Sequence, residues 1–431
     1  MIGIFIGLAL LMFLAYKGMS TIWAAPLCAL FVALTGGLPI VDTYAKTYMT
    51  GFVSFTSAWF PTFMLGAVFG KVMEITGAAR AVGYWITKAI GARFAILAVV
   101  LACAAMTYGG ISLFVAIFVI YPLAVSVYRE ANIPRELIPG TFTLGAFTFT
   151  MTALPGSPQI QNLIPMPYFG TEATAAPGLG IIAAILMFGL GMIWLTYRQK
   201  KFAREGKGFV EPTNVVAMDP NAKVMHPGLC FLPLIAVVLL LNLAKLNIIV
   251  ALFGGIAAGY LIGFKVLREK KMLTKVINEG AVGSMPAIIN TSAVVGFGTV
   301  VKAVPGFQTL TGLVMNLGGN PLVAEAVAVN VLCGATGSAS GGISIALSVL
   351  GDKFMEMSAS TGISPAVFHR IASLSSGGLD TLPHNGGVIT ALAVCGLTHK
   401  ESYLDMCVTS LVIPVITTVI CVILASAGLQ F

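Results

Sequence analysis

Long apolar runs separated by short polar punctuation set the pattern of the chain. A helix needs about 20 apolar residues to cross the hydrocarbon layer, and runs of that order fall at 2–16, 20–38, 50–75, 136–168, 178–198, 229–244, 247–266, 281–301, 364–395 and 402–429. They predict about ten transmembrane helices. Two further apolar runs are too long for one span and carry glycine clusters at mid-length: 94–128, interrupted at 107–110, and 321–350, interrupted at 334–342. These predict re-entrant helical hairpins that enter and leave on one side. In the runs 136–168 and 364–395 a proline beside glycine forces the helix to open, at 152–162 and 380–390. The expected fold is an all-α polytopic membrane protein.

Composition agrees with the pattern. The 431 residues are 58% apolar and 9% charged, against roughly 25% charged in soluble domains, and mean hydropathy is +0.96. That excludes a soluble enzyme and a nucleic-acid-binding module. The net charge of +8 describes orientation and not an acidic partner. With the N-terminus outside, every Lys and Arg falls on the inner side except Lys46, Lys245, Lys302, Lys353 and Arg370, and making either hairpin a full crossing destroys this bias. Both termini are therefore expected on the periplasmic side of a bacterial inner membrane. The stretch 1–16 lacks a basic n-region and a cleavage signature, and reads as a retained first span. The seven cysteines sit inside apolar runs without a C-x-x-C pair, as buried unreactive thiols do.

The polar segment 199–227, expected as a cytoplasmic linker, divides the chain into halves 1–198 and 228–431. Landmarks recur across it. Lys71 and Lys302 are 231 apart, Gly109-Gly110-Ile111-Ser112 returns as Gly341-Gly342-Ile343-Ser344 at 232, and Leu154-Pro155 returns as Leu382-Pro383 at 228. Five crossings per half is odd, so the halves are expected to be two inverted-topology repeats, as in secondary transporters with a midplane site at paired helix breaks.

Irregular backbone at membrane depth survives only where it is buried or lines a polar cavity, so the four breaks form the candidate site. Inward half-helix N-termini offer N–H groups and partial positive charge to a carboxylate, while freed carbonyls and hydroxyls suit Na⁺ or a proton relay. Asp380 is the one acid in the breaks, which favours an organic anion as substrate. The candidate substrate residues are Gly109, Gly110, Ser112, Ser157, Gln159, Asn162, Thr336, Ser338, Ser340, Gly341, Ser344, Thr381, His384 and Asn385. Asp380 and His384, four apart, are the candidates for ion or proton coupling. Glu325 is expected at the membrane interface, and Lys71 and Lys302 as side chains reaching for the two surfaces. No metal or organic cofactor is expected. Ala339 stands where G-x-S-x-G needs its Ser, and no H-E-x-x-H occurs, so a transporter is expected and not an embedded hydrolase; a passive channel would gain nothing from two paired closed breaks.

Several motifs carry a family resemblance. Pro-Leu-Ala-Val at 122–125, Ile-Pro at 133–134, Leu-Pro-Gly-Ser-Pro at 154–158, the basic central linker, Gly-Ala-Thr-Gly-Ser-Ala at 334–339 and His-Asn-Gly-Gly at 384–387 resemble the gluconate permease family of the ion transporter superfamily. The resemblance covers essentially the whole chain and is most specific over 107–165 and 333–390. It implies a homodimer with elevator-type scaffold and transport domains, and symport of a sugar acid or short hydroxy or keto acid, usually with H⁺. Na⁺ coupling is the alternative. The chain departs from the family pattern at Leu113-Phe114-Val115-Ala116, which lacks an acid, and at Gly156-Ser157-Pro158, which lacks a histidine. Both departures favour a smaller, less hydroxylated anion such as 3-hydroxybutyrate or lactate over gluconate.

Overall fold

Apolar runs fold into helices here, and glycine and proline decide where each one stops. The structure is a computed structural model and describes residues 2–17, 19–212, 224–268, 270–307, 309, 319–383 and 385–431. Every regular element among them is helical. In the first half, α1 (Ile2–Tyr16) and α2 (Thr21–Thr35) precede a long α3 (Ile40–Ile75) and a short α4 (Ala78–Ile90). A helical hairpin follows, α5 (Ala95–Tyr108) and α6 (Leu113–Glu130). Next comes the first interrupted helix: α7 (Ile138–Phe142), carried on by the π turns Thr143–Phe147 and Phe149–Ala153, then α8 (Ile160–Leu163) and α9 (Pro165–Phe169). The half closes with α10 (Pro177–Arg204).

The second half runs in the same order. It comprises α11 (Pro227–Asn242), α12 (Ile248–Ile262), the long α13 (Lys270–Ala303), a hairpin of α14 (Pro321–Thr336) and α15 (Ala339–Thr361), an interrupted helix of α16 (Pro365–Ser376) and α17 (Gly386–Cys395), and finally α18 (His399–Ser426). Among the described residues, α3, α6, α10, most of α13 and α18 are long and apolar enough to cross a membrane alone. The runs predicted at 2–16, 20–38, 229–244 and 247–266 fold as shorter apolar helices.

Helix α4 answers to no predicted span, because it is amphipathic. Ala78, Ala79 and Val82 are buried while Arg80 and Lys88 are exposed, and the chain turns by 99° from α4 into the next helix.

At the centre, α3 and α13 cross antiparallel. Gly51 lies against Thr299, the hydroxyls of Thr56 and Ser292 are 2.8 Å apart, and Gly280 lies against Val68. Two glycines at the crossing let the backbones approach, which substitutes for a hydrophobic driving force between helices in lipid. Around this pair α2 packs on α13 and α12 on α3, with α1 on α2 and α11 on α12. The two hairpins and interrupted helices gather beside it, with α10 packed on α18.

Three expectations are corrected by the fold. Arg370, counted as an outer-loop charge, is fully buried in α16, because that helix starts at Pro365 and the guanidinium finds carbonyl acceptors inside. Glu325 is not interfacial: it sits in the second turn of α14, fully buried, and neither carboxylate oxygen has a hydrogen-bond partner. The second hairpin turns at Gly337-Ser338, so Gly341-Gly342-Ile343-Ser344 lies in the first turns of α15 and is not the tip. Lys71 pairs with Glu279 at 3.0 Å and Glu74 at 3.2 Å, and Lys302 with Asp352 at 3.5 Å.

The α3–α13 crossing makes a direct prediction. A Cβ on Gly280 would stand 2.6 Å from the Cα of Val68, a backbone atom that no rotamer change relieves. Gly280→Val should destabilise the protein by about 1–3 kcal/mol, the usual range for overpacking, read as a lowered thermal midpoint in detergent. An unchanged midpoint would show that the crossing is looser than described.

Candidate functional site

Glycine and a polar cap build each hairpin tip. Gly110 and Gly337 take the left-handed conformations of the turns, with φ +96° and +59°. Ser112 then caps α6 by accepting from the Val115 N–H, and Ser338 caps α15 by accepting from the Gly341 N–H. The interrupted helices reopen with similar chemistry. Asn385 caps α17, its Oδ1 accepting from the Val388 N–H at 2.9 Å, and its Nδ2 donates to the Gly337 carbonyl at the tip. Gln159 precedes α8, and its Nε2 donates to the Thr107 carbonyl of the other tip. Ser112 and Ser338 are 226 residues apart, and so are Gln159 and Asn385. In each half an amide side chain from the interrupted helix therefore holds the hairpin turn.

All four breaks open onto one cavity of about 530 Å³. Gly110, Ser112, Gln159, Thr336, Ser338, Ser340, Asp380 and Asn385 line it. The other sequence candidates lie behind this surface. The Ser157 hydroxyl donates to the Thr150 carbonyl, Ser344 to Ser340 O, and Thr381 to Ser410 O. The Asn162 amide bridges Ser157 O and Ala173 O. Gly109 packs against Leu234, and the Gly341 N–H is taken up by its cap. His384 lies outside the described residues.

The first turn of a helix leaves amides without an intrahelical partner. In α6, α15 and α17 the cap side chain takes the third of these. The first two belong to Leu113 and Phe114, Ala339 and Ser340, and Gly386 and Gly387, and all six residues line the cavity. Among the described lining residues there is no Lys, Arg or His, so the positive potential comes from helix ends. Two residues of the lining keep a buried acceptor without a partner among the described residues. Asp380, 2% exposed, has an Oδ1 without a hydrogen-bond partner, and so does the buried Oδ1 of Asn290.

Asn290 comes from α13, on the opposite wall with Thr62, Ser284 and Thr291. Sequence reasoning missed this wall because 281–301 reads as an ordinary span. The signal was the polar triplet Asn290-Thr291-Ser292 in its middle. Thr291 Oγ1 and Ser340 Oγ stand 3.5 Å apart, where the α13 wall meets the second tip.

Behind the cavity Arg370 clasps the first break from α16. Its Nε and Nη2 donate to Ala175 O at 3.1 and 2.7 Å, and its Nη1 donates to Asn162 Oδ1 at 2.9 Å and Thr152 O at 3.4 Å. Ser373 adds a bond to the same Thr152 carbonyl at 2.8 Å. Arg370→Gln should lose about 1.5–3 kcal/mol of stability, the worth of hydrogen bonds from a charged donor. Arg370→Lys should recover part of it, read as thermal midpoints of the purified proteins. Equal midpoints for all three would show that the clasp holds nothing.

A protein-family model described as GntP family permease matches residues 1–231. The chain is 41% identical, over 95% of both sequences, to an uncharacterized transporter, YxjC, of Bacillus subtilis (strain 168). Among solved structures, the YdaH transporter of Alcanivorax borkumensis, described as having an unusual topology, superposes with a TM-score of 0.58 and 16% identity over 91% of this chain and 90% of that one. That likeness is one of fold.

Proposed function

The chain belongs to the GntP permease family, a family of transporters and not of enzymes, and on that premise we propose that it is a secondary active symporter of a short hydroxy or keto acid anion. The observation that carries this reading is the single cavity lined by three helix N-termini, with six first-turn amides and no basic side chain among its described residues. Amides in this arrangement bind a carboxylate without a counter-charge that would hold it permanently. The idle oxygens of Asp380 and Asn290 ask for donors, which a substrate hydroxyl supplies at one and a coupling proton at the other. The volume admits a six-carbon sugar acid as well. The absence of an acid at 113–116 and of a histidine at 156–158 favours the smaller 3-hydroxybutyrate or lactate.

We read the two halves as inverted repeats flanking the cytoplasmic linker. The equivalent helices α3 and α13 run antiparallel, and the packing of α2 on α13 maps onto that of α12 on α3 when the halves are exchanged. The shared spacing of 226 for Ser112 and Ser338 and for Gln159 and Asn385 supports the same pairing. In this reading the layer of α1–α3 and α11–α13 is the scaffold, the hairpins and interrupted helices are the transport domain, and the site moves across the membrane with the latter. The protein would work as a homodimer in a bacterial inner membrane, with its termini periplasmic.

Reconstituted protein should accumulate labelled 3-hydroxybutyrate or lactate under an inward proton gradient, and uptake indifferent to both proton and sodium gradients would sink the symport reading. Replacing sodium by choline in the same assay decides between the two ions. For Asp380→Asn, gradient-driven accumulation should fall at least tenfold while substrate exchange persists; full accumulation would remove Asp380 from coupling. Asn385→Ala, which loses both the cap and the bond to the tip, should raise the apparent KM by about fivefold to thirtyfold at unchanged expression, the equivalent of roughly 1–2 kcal/mol for a lost cap.

A further inference from the structure

Buried oxygens without hydrogen-bond partners occur away from the substrate cavity as well. Glu325 on α14 has two, and Ser375 on α16 and Thr417 and Thr418 on α18 have one each. Such groups are rare in folded proteins, and a carboxylate is the costliest of them to leave alone.

Three contacts fix the register of these helices. Gly378, just past α16, lies against Asn330 of α14 and Val415 of α18. At the opposite ends Asn320 Nδ2 donates to Ser426 Oγ at 2.6 Å, and the Ser364 N–H donates to Gln430 Oε1 at 3.1 Å. α18 therefore runs antiparallel to both α14 and α16, which pack on each other. Counted from the Gly378 junction towards those ends, Glu325 is five residues along α14, Ser375 three along α16, and Thr417 and Thr418 two and three along α18. At about 1.5 Å per residue they share one layer, about 3–8 Å from the junction. Asp380 is on the other side of it, because Leu379 already lies against Gly334, nearer the hairpin turn.

Among the described residues no hydrogen bond or ion pair reaches Glu325, which is fully buried. α1, α15, α16, α18 and the turn Leu379–Thr381 pack on α14, and their charges are committed elsewhere or exposed. α1 has no charged residue. On α15, Asp352 pairs with Lys302 and Lys353 with Glu356, all at the surface. On α16, His369 Nδ1 stands 2.6 Å from Thr171 Oγ1 and Arg370 clasps the first break. On α18, Asp405 takes Arg198, Glu401 caps its own helix, His399 bonds to Pro383 O, and Lys400 is exposed. Glu325 is only four residues, about 6 Å, into α14, and Gly319 just before that helix is exposed, so the open end of the hairpin is a short way off.

Resting on the symporter reading, we propose that Glu325 is a second cation site of the transport cycle and that its cation is a proton. α14 belongs to the domain that carries the substrate in that reading, and a carboxyl without a partner crosses the membrane at least cost as the neutral acid. The proton is taken from water on one side, held as an O–H on a Glu325 oxygen and returned to water on the other side, with no other bond made or broken. Asp380 and Glu325 then carry one proton each, two for every anion.

The test measures how steeply accumulation follows the proton gradient, with the full-length protein in proteoliposomes clamped at zero membrane potential. Two protons per anion give a ratio of labelled 3-hydroxybutyrate or lactate of about a hundredfold for one pH unit, and one proton gives about tenfold. Wild type should approach the hundredfold ratio. Glu325→Gln, which keeps the shape of the side chain and removes its proton exchange, should fall to about tenfold, and Glu325→Asp should return towards wild type. A wild-type ratio of about tenfold, which is decisive even where the variants do not fold, would overturn the proposal and leave the symporter reading standing. So would equal ratios in wild type and Glu325→Gln, or accumulation that follows a sodium gradient alone. Wild-type uptake indifferent to both gradients would remove the symporter reading and, with it, the second site.

Discussion

Every break in a helix at membrane depth must find partners for its backbone without water, and the rest of this structure depends on how that is done. An unsatisfied amide in hydrocarbon costs several kcal/mol. At the first break the Gly156 N–H donates to Ala173 O, and the Asn242 amide, from α11, takes the Gly156 carbonyl. Ser157 and Asn162 close the remaining gaps from within. At the second, Asn385 serves the Gly337 carbonyl and its own helix at once. With the carbonyls taken up by side chains, what remains is the first-turn amides of three helices whose residues line one cavity. In the proposed reading, the preference for an anion is a by-product of how the breaks are satisfied.

The same accounting explains two buried arginines, which are held differently. Arg198 on α10 forms an ion pair with Asp405 on α18 at 2.7 Å, with Trp194 donating to the same carboxylate at 3.0 Å. Among the described residues Arg370 has no carboxylate as a hydrogen-bond partner and is held by carbonyls and Asn162 Oδ1. Those acceptors are the ones the first break has freed, between Thr152 and Ala175. A residue of the second half therefore completes the broken backbone of the first.

Much of this was legible in the sequence, and the failures have physical causes. Glycine clusters within long apolar runs, and proline near glycine within a spanning run, are strong signals, and both hairpin turns and both breaks fall within the segments they marked. Gly341-Gly342 misled because a glycine pair of which Gly342 permits close packing against Cys333 looks, in sequence, like glycines that make a turn. The turn itself needs only Gly337 in the left-handed region, followed by a serine cap. Arg370 was misplaced because a charge near the end of a run is normally a loop charge, and its acceptors lie about 200 residues earlier in the chain. α4 escaped notice because an amphipathic helix carries too many charges to register as a span. Asn290 went unweighed because a single amide in a long helix is usually a packing group, and only the cavity gives its idle oxygen meaning.

The placement of Asp380 joins substrate to cation in the proposed cycle. A carboxylate on the wall of a site built for a carboxylate is a liability: two unit charges 4 Å apart interact by about 4 kcal/mol in a surface-like dielectric. Six amides can hold the substrate well only when that charge is cancelled. A proton or Na⁺ on Asp380 cancels it, so the anion binds well to the cation-loaded site and poorly to the empty one. Translocation follows the same accounting, because the site holding the anion without its cation would carry two negative charges, the anion's and Asp380's, each costing about 2.3 kcal/mol through a 100 mV potential, and the cation removes one of them. The lone acid, which at first singles itself out only by its rarity, is then the reason that in this proposed cycle the anion moves with its cation, since the site holding the anion alone is the disfavoured one.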